Sequence, residues 1–442
     1  MLNPSRIRSI LFSIISQMNE NVQNFVRSPG KDFTRLRILS FCDILLALLS
    51  LGNSSLSKEL DHYFSSSGRP GTTSSAFVQQ RSKLNEQALP FLFNAFNNSI
   101  PFLKTFKGLH LLACDGTDIN LPADRHDSVN LVRYKKDSRI PGYWQMHVVA
   151  CFDLLEKRYL DAVIQPRPAF NEAAALCAMA QRCSLDGNVL YIADRGFPSF
   201  NLMAHIICCG QYFLFRTISP SSVNSFLKHA GLPASGEYDR NLSLQITRSM
   251  KNKYRKHPES FRCLHRGKVF DFIAPDDRET VFPLDLRVVC ITLDNGTQEY
   301  LVTNLPRDQF PAEDLKELYR LRWGIETSFR LLKYTLSLNC LHSVKRSFII
   351  QEIYAKMIMY NWTSLTAAYA EHRLPPVRKG SSKEYMVPFS EAAMLVHRLI
   401  FKRITNRCIL EQLLAKKIPI RPGRSFPRNV RSQTVKPLNN RG

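Results

Sequence analysis

The order of apolar runs predicts an α/β protein in which a mixed sheet is flanked by helices, with an all-α region before it and a helical part after it. Three observations carry that expectation. Residues 1–105 place apolar side chains at helical spacing in RIRSILFSIISQM, RILSFCDILLALLSL and ALPFLFNAFNNSI. Residues 106–215 change to β-like runs separated by short polar breaks. Residues 216–297 are polar and basic, and strand-like only in pieces.

The bulk numbers agree with a folded chain that meets a polyanion. At 442 residues there is room for two or three domains, and a hydrophobic content of 44% supports a real core. The 60 Lys and Arg against 37 Asp and Glu leave a formal charge of +23, which predicts attraction to nucleic acid. A cationic membrane-surface protein would need a long amphipathic helix with a basic face, and none is legible. Eleven scattered cysteines without a CxxC pair match neither a zinc site nor a disulfide framework, so a reducing, intracellular setting is expected. DILLALLSL is too short to span a bilayer.

Within 1–105, NSSLSKELDHYF, the turn-rich SSSGRPG and TTSSAFVQQRSKLNE form a pair of short helices, with Asn53 or Ser54 capping the first and Thr73 or Ser74 the second. Such a pair resembles a helix-turn-helix, which makes Arg69, Gln79, Gln80, Arg81 and Lys83 candidate DNA contacts. Ordinary helix pairs share the pattern. In 106–215, LHLLACDGTDI, QMHVVACFDLL and RYLDAVIQPR are strands; NEAAALCAMAQRC is a helix, NVLYIADRGF a strand, FNLMAHIICCG a helix and QYFLFRTI a strand. Three strands, a helix, a strand, a helix and a strand is the element order of an RNase H-like core, although other α/β folds share parts of it. LSLQITRS, FRCLHRGKVFDFIA and DLRVVCITL make 216–297 a β-rich insertion. Residues 298–345 then resume the core with the strand EYLVTNLP and a helix. Residues 346–442 hold further helical runs and the tail KKIPIRPGRSFPRNVRSQTVKPLNNRG, with eight basic residues and no acidic one. The tail reads as a phosphate-tracking arm, with Arg421, Arg424 and Arg428 among its contacts; a solvated tail is the alternative.

The chemistry concentrates in YRLRWGIETSFRLLK. Tyr319, Arg322, Glu326 and Lys333 follow Y-x2-R-x3-E-x6-K, and at about 100° per residue they fall within roughly 60° on one helix face, with Arg330 on the same stripe. One carboxylate among phosphate donors suits a metal ion and a DNA backbone; a solvated stripe is the competing reading. Asp115 and Asp194 each end an apolar run and precede a glycine-bearing turn, DGT and DRG. A carboxylate where a buried strand meets a loop is costly unless it is paired or holds a metal. Asp115, Asp194 and Glu326 together would offer hard oxygen ligands for Mg²⁺ or Mn²⁺, with a pair of ions able to activate a nucleophile and stabilise a leaving oxygen. Turn capping is the alternative for either aspartate. DGTD also offers Asp118; Asp115 is preferred because it directly follows the apolar run. His147 reads as a packed histidine, and neither HExxH nor a P-loop occurs.

The strands ending DGT and ADRGF, the strand YLVTNLP and the Y-x2-R-x3-E-x6-K helix resemble a DDE transposase of the insertion-sequence-four family, over roughly residues 70–430. The resemblance implies that Asp115, Asp194 and Glu326 are the catalytic metal triad and that 216–297 is the insertion in the RNase H-like core. It implies cut-and-paste movement of an insertion sequence: nicking at terminal inverted repeats, hairpin closure and reopening, and joining of a 3′-hydroxyl to target DNA. A homodimer on paired double-stranded DNA ends and a cytoplasmic, nucleoid-associated location go with it. Tyr319, Arg322 and Lys333 would hold phosphates, and Trp323 would stack on a base or pack on its helix. Relatives can carry a tryptophan in the insertion to hold a flipped base, but this insertion has none. Tyr300 is the nearest aromatic substitute. A DNA-binding protein descended from such an enzyme and no longer catalytic is the alternative from another class, and the presence of all three acids argues against it. A nuclease without strand joining is a third reading.

Overall fold

The computed structural model describes residues 2–35, 38–133, 142–233, 235–374 and 384–420. The helical N-terminal region contains α1 (Pro4–Glu20), α2 (Phe41–Ser50), α3 (Leu56–Ser67), α4 (Ser74–Arg81) and α5 (Ala88–Asn98). Local chemistry sets these boundaries. Ser40 and Asp43 form a reciprocal capping box at the start of α2, and Thr73 accepts the Ala76 amide at the start of α4. The start of α3 differs from expectation: Ser55, not Asn53 or Ser54, occupies the cap position. Gly68 ends α3 in the left-handed region at φ 68°, which an L side chain rarely adopts.

Among the described residues, the main sheet has ten strands. In chain order they are β1 (Leu109–Asn120), β2 (Leu131–Arg133), β3 (Gly142–Asp153), β4 (Arg158–Pro166), β5 (Asn188–Ala193), β6 (Tyr212–Thr217), β7 (Tyr238–Thr247), β8 (Phe261–Cys263), β9 (Val281–Thr292) and β10 (Gln298–Thr303). Their spatial order is β2-β3-β1-β5-β6-β10-β9-β7-β8, with β4 also on β3. β1, β3 and β4 are antiparallel, while β5 and β6 continue parallel to β1. The expected element order is thus present, with α6 (Glu172–Gln181) between β4 and β5 and α7 (Phe200–Cys208) between β5 and β6. The β-rich segment, which also holds the single turn α8 (Asn252–Arg255), extends the same sheet by pairing β9 to β10 and β7 to β9.

One face of the sheet packs on the helical region and on α11 (Arg346–Glu371), α12 (Phe389–Ile400) and α13 (Asn406–Ala415). α11 is buried on nearly every side, and several of its polar residues are paired internally, although the Trp362 indole N–H has no partner among the described residues. Asn361, for example, accepts the Tyr159 amide at 2.8 Å and donates to the Asn97 side chain at 2.8 Å. α6 and α7 cover part of the opposite face.

The helix bearing the signature is segmented. α9 (Ala312–Leu321) ends one residue before Arg322, α10 (Trp323–Arg330) follows, and Leu331–Thr335 form a π-helical turn. Arg322 keeps helical torsions, φ −49° and ψ −34°, so the chain tightens there without changing direction class.

Candidate active site

Register brings the two aspartates together. β1 and β5 pair in parallel as far as Cys114 and Ala193, and the next residue on each chain is Asp115 and Asp194. Asp115 is not at a strand end: β1 runs on to Asn120 against β3, with Asp115 opposite Ala150. The carboxylate position is created by β5 stopping, not by β1 stopping.

α9 and α10 dock their polar stripe on this edge. The Tyr319 hydroxyl donates to Asp194 Oδ1 at 3.1 Å. Arg322 donates through Nη2 to Glu326 Oε1 at 2.9 Å and lies 3.5 Å through Nη1 from Asp115 Oδ2. Arg216 approaches Asp194 at 3.9 Å and Glu299 at 3.2 Å. All three predicted acids therefore gather around Arg322 and Tyr319.

The charge balance is incomplete. Burial pushes the Asp115 carboxyl up to about 6; the Gly116 amide and Arg322 oppose this, while the charges of Glu326 and Glu172 add to it. Burial likewise raises Glu299 despite Arg216. Arg322 is itself buried, and its Nε has no hydrogen-bond partner among the described residues. A buried donor without an acceptor is costly, and it marks where an anionic oxygen would be welcome. Also among the described residues, no three His, Cys, Asp or Glu side chains converge as a ready metal site. Arg322 holds the space between Asp115 and Glu326.

Asp118 lies elsewhere. It faces His147 across β1 and β3, accepts from His147 Nδ1 at 2.7 Å and pairs with Arg167 Nε at 2.8 Å. Burial alone would raise its carboxyl, but the bond from His147 and the charge of Arg167 hold it below the usual range. His147 also contacts Glu172 Oε1 through Nε2 at 2.9 Å; burial would lower its imidazole, and the two acid contacts raise it instead. Lys333 turns inward on the π turn and donates to the Asp118 carbonyl at 2.7 Å, with burial lowering its ammonium.

Other predicted residues separate into three groups. Trp323, 54% exposed, and Arg330 are open to solvent, and Lys83 is half-buried, donating to Gln80 Oε1 at 3.0 Å. Lys83 lines a polar pocket of about 280 Å³ with Lys31 and Arg35. Two expectations are corrected. Arg81 is 1% exposed and each of its three nitrogens is bonded, to Gln351 at 2.7 Å, to Glu352 at 2.9 Å and to the Phe348 carbonyl, so it is not presented to a phosphate. Tyr300 is buried in the sheet core, its hydroxyl donating to Gln298 at 2.9 Å, and offers no open ring face to a base. Arg421, Arg424 and Arg428 lie outside the described residues. Sequence reasoning missed Arg216, Glu299, Arg167 and Glu172. An arginine within the apolar run YFLFRT was the one signal available for Arg216.

Known proteins resemble this chain. The transposase for insertion sequence element IS421 of Escherichia coli is 36% identical over 67 residues, which is 15% of this chain; the chain spans only 18% of that relative and of the IS186 relatives it matches equally. Transposase InsG for insertion sequence element IS4 of Escherichia coli (strain K12) is 21% identical over 385 residues, covering 83% of this chain and 78% of that one. A piggyBac transposase solved in a synaptic complex with hairpin DNA aligns at a TM-score of 0.45 and 8% identity over 92% of this chain and 82% of its own, too weak a likeness to carry an argument. The family model for the transposase DDE domain matches residues 107–362, a span that opens just before β1, takes in both aspartates and the segmented helix, and closes within α11. With more than half its length under that model, this chain belongs to the DDE transposase family.

Proposed function

We propose that this protein is a metal-dependent transposase that moves an insertion sequence by cutting and joining DNA at its terminal inverted repeats, with an RNase H-like core as the catalytic scaffold. One observation supports the reading above others: a parallel register sets Asp115 beside Asp194, and the signature helix bonds to both through Arg322 and Tyr319. The donor set fits a divalent cation. Asp115 is half-buried, short of positive charge and close to further carboxylates, which is an environment hard oxygen-seeking ions relieve. Asp115, Asp194 and Glu326 would hold Mg²⁺ or Mn²⁺, and two such ions would supply activation of water or a 3′-hydroxyl and stabilisation of the leaving oxygen.

The chain's own residues do the rest. Arg322, whose planar fork spans Asp115 and Glu326, would be available to a DNA phosphate if a cation took over the charge of those acids. Tyr319 orients Asp194 through its hydroxyl. Lys333, kept in a low-dielectric position, is a point charge for a phosphate near Asp118. Trp323 and Arg330 face solvent on the same element and receive bases and backbone, which lets the site hold a hairpin end. The Lys31, Arg35 and Lys83 pocket binds backbone phosphates of the repeat, and the net charge of +23 draws in both element and target DNA. A homodimer pairs two ends. No nucleotide cofactor enters.

The test uses the purified protein, a labelled element-end duplex and Mg²⁺, with wild type beside Glu326→Gln. The substitution removes a charge and little volume. Wild type is expected to nick and join while the variant binds the duplex and does neither. Binding without cutting by both, under every divalent metal tried, would favour a DNA-binding protein that has lost catalysis.

A further inference from the structure

Asp115 and Asp194 are each followed within two residues by a glycine, Gly116 and Gly196, and both glycines abut the same side chain. A methyl group on Gly116 would collide with Oε1 of Glu172 and Nε2 of His147, and one on Gly196 would lie 3.4 Å from Oε2 of Glu172. The Glu172 carboxylate is therefore wedged between the backbones that carry the two aspartates. The wedge is held firmly. Asn171 caps α6 by accepting the Ala174 amide, which fixes where Glu172 leaves the helix. His147 Nε2 grips Oε1 at 2.9 Å, its Nδ1 contacts Asp118 at 2.7 Å, and Arg167 closes the chain on Asp118 at 2.8 Å. Phe170 packs against the imidazole with ring centroids 4.5 Å apart.

We propose that Glu172 is a fourth carboxylate of the catalytic centre: a positioning residue that sets the spacing of the Asp115 and Asp194 backbones and deepens the negative potential that draws a divalent cation to them. The proposal rests on the transposase reading above. Two features favour it over helix packing alone. Gly116 is needed to admit the side chain, and the second carboxylate oxygen stays turned toward Gly196 on the Asp194 side. Partners one step outside a metal's ligands set its affinity by orienting the ligands and tuning their charge.

The test is Mn²⁺ binding to the full chain, followed by the loss of the free-ion electron paramagnetic resonance signal, for wild type, Glu172→Gln and Glu326→Gln. Glu172→Gln is expected to loosen Mn²⁺ about tenfold while leaving the melting temperature of the metal-free protein and its affinity for an end duplex unchanged. Should that variant not fold, Glu172→Asp keeps the charge but shortens the wedge, and is expected to loosen Mn²⁺ by up to about tenfold. Wild-type affinity in the variant tested, with binding lost in Glu326→Gln, overturns the role of Glu172 and leaves the triad standing. Absence of Mn²⁺ binding in wild type overturns both.

Discussion

Two arginines of the signature and N-terminal regions are buried against carboxylates, and their surroundings differ in one respect. Arg81 matches every side of its guanidinium: Nε to Gln351, Nη1 to Glu352 and Nη2 to the Phe348 carbonyl. Glu352 is completed by the amide and ring of His342 at 3.1 and 3.2 Å. Burial alone would raise the Glu352 carboxyl, yet the Arg81 charge and the His342 bonds hold it down at about 2. Arg322 stands between two acids as well, but its Nε is unpartnered among the described residues, and Asp115 is pushed up to about 6. One cluster is saturated and ties the helical region to α11. The other is left short of charge at the edge where two strands diverge. Of these two clusters, the one that ties helices together is closed and the one at the candidate site is open to something not yet bound.

The largest expected effect comes from opening the closed cluster. Glu352→Gln strands a buried arginine and should cost about 3–5 kcal/mol in urea unfolding at pH 7. Because the Glu352 carboxyl is depressed in the folded state, its stabilisation is full above about 4.5 and disappears as pH falls toward about 2, so the deficit should shrink over that window. A deficit of less than 1 kcal/mol at pH 7 would remove the contrast drawn here.

Arg322→Ala ranks next. End cleavage in a single-turnover assay should fall about a hundredfold, the scale of losing one oriented cationic donor, while duplex affinity in a binding titration changes by less than about threefold. Equal losses in both would make Arg322 a general DNA contact. The smallest effect belongs to the pocket on the N-terminal region. Lys83→Ala should weaken duplex binding severalfold and lower the salt-dependence slope by about one; an unchanged slope would take Lys83 off the DNA.

The sequence made parts of both clusters legible. An apolar run ending in Asp marked Asp115 and Asp194, but a turn follows only Asp194: β1 runs on past Asp115 to Asn120, and the end of β5 is what leaves room for the carboxylates. The spacing of Tyr319, Arg322 and Glu326 held through a tightened turn because Arg322 keeps helical torsions. Lys333 was placed on a regular helix, and the π turn carries it instead to the Asp118 carbonyl. Arg81 looked like a DNA contact because an arginine on a short polar helix is usually solvated; its partners lie about 270 residues later, beyond any local pattern. Glu172 was silent, since its meaning comes from Gly116 on β1 and Gly196 in the turn after β5 meeting at one side chain, and His147 read only as a packed histidine.

The open cluster should be stable at the expense of function when its charge is removed. Asp115→Asn tests this most directly, with unfolding and end cleavage measured on one preparation. A carboxyl raised in the folded state destabilises above its unfolded value near 3.8 and does so fully above about 6. The variant is therefore predicted to gain on the order of 1–3 kcal/mol at pH 8 without metal, to lose that gain below about pH 4, to bind the end duplex, and to cleave nothing in Mg²⁺. Cleavage at the wild-type rate, or a loss of stability at pH 8, would contradict the account.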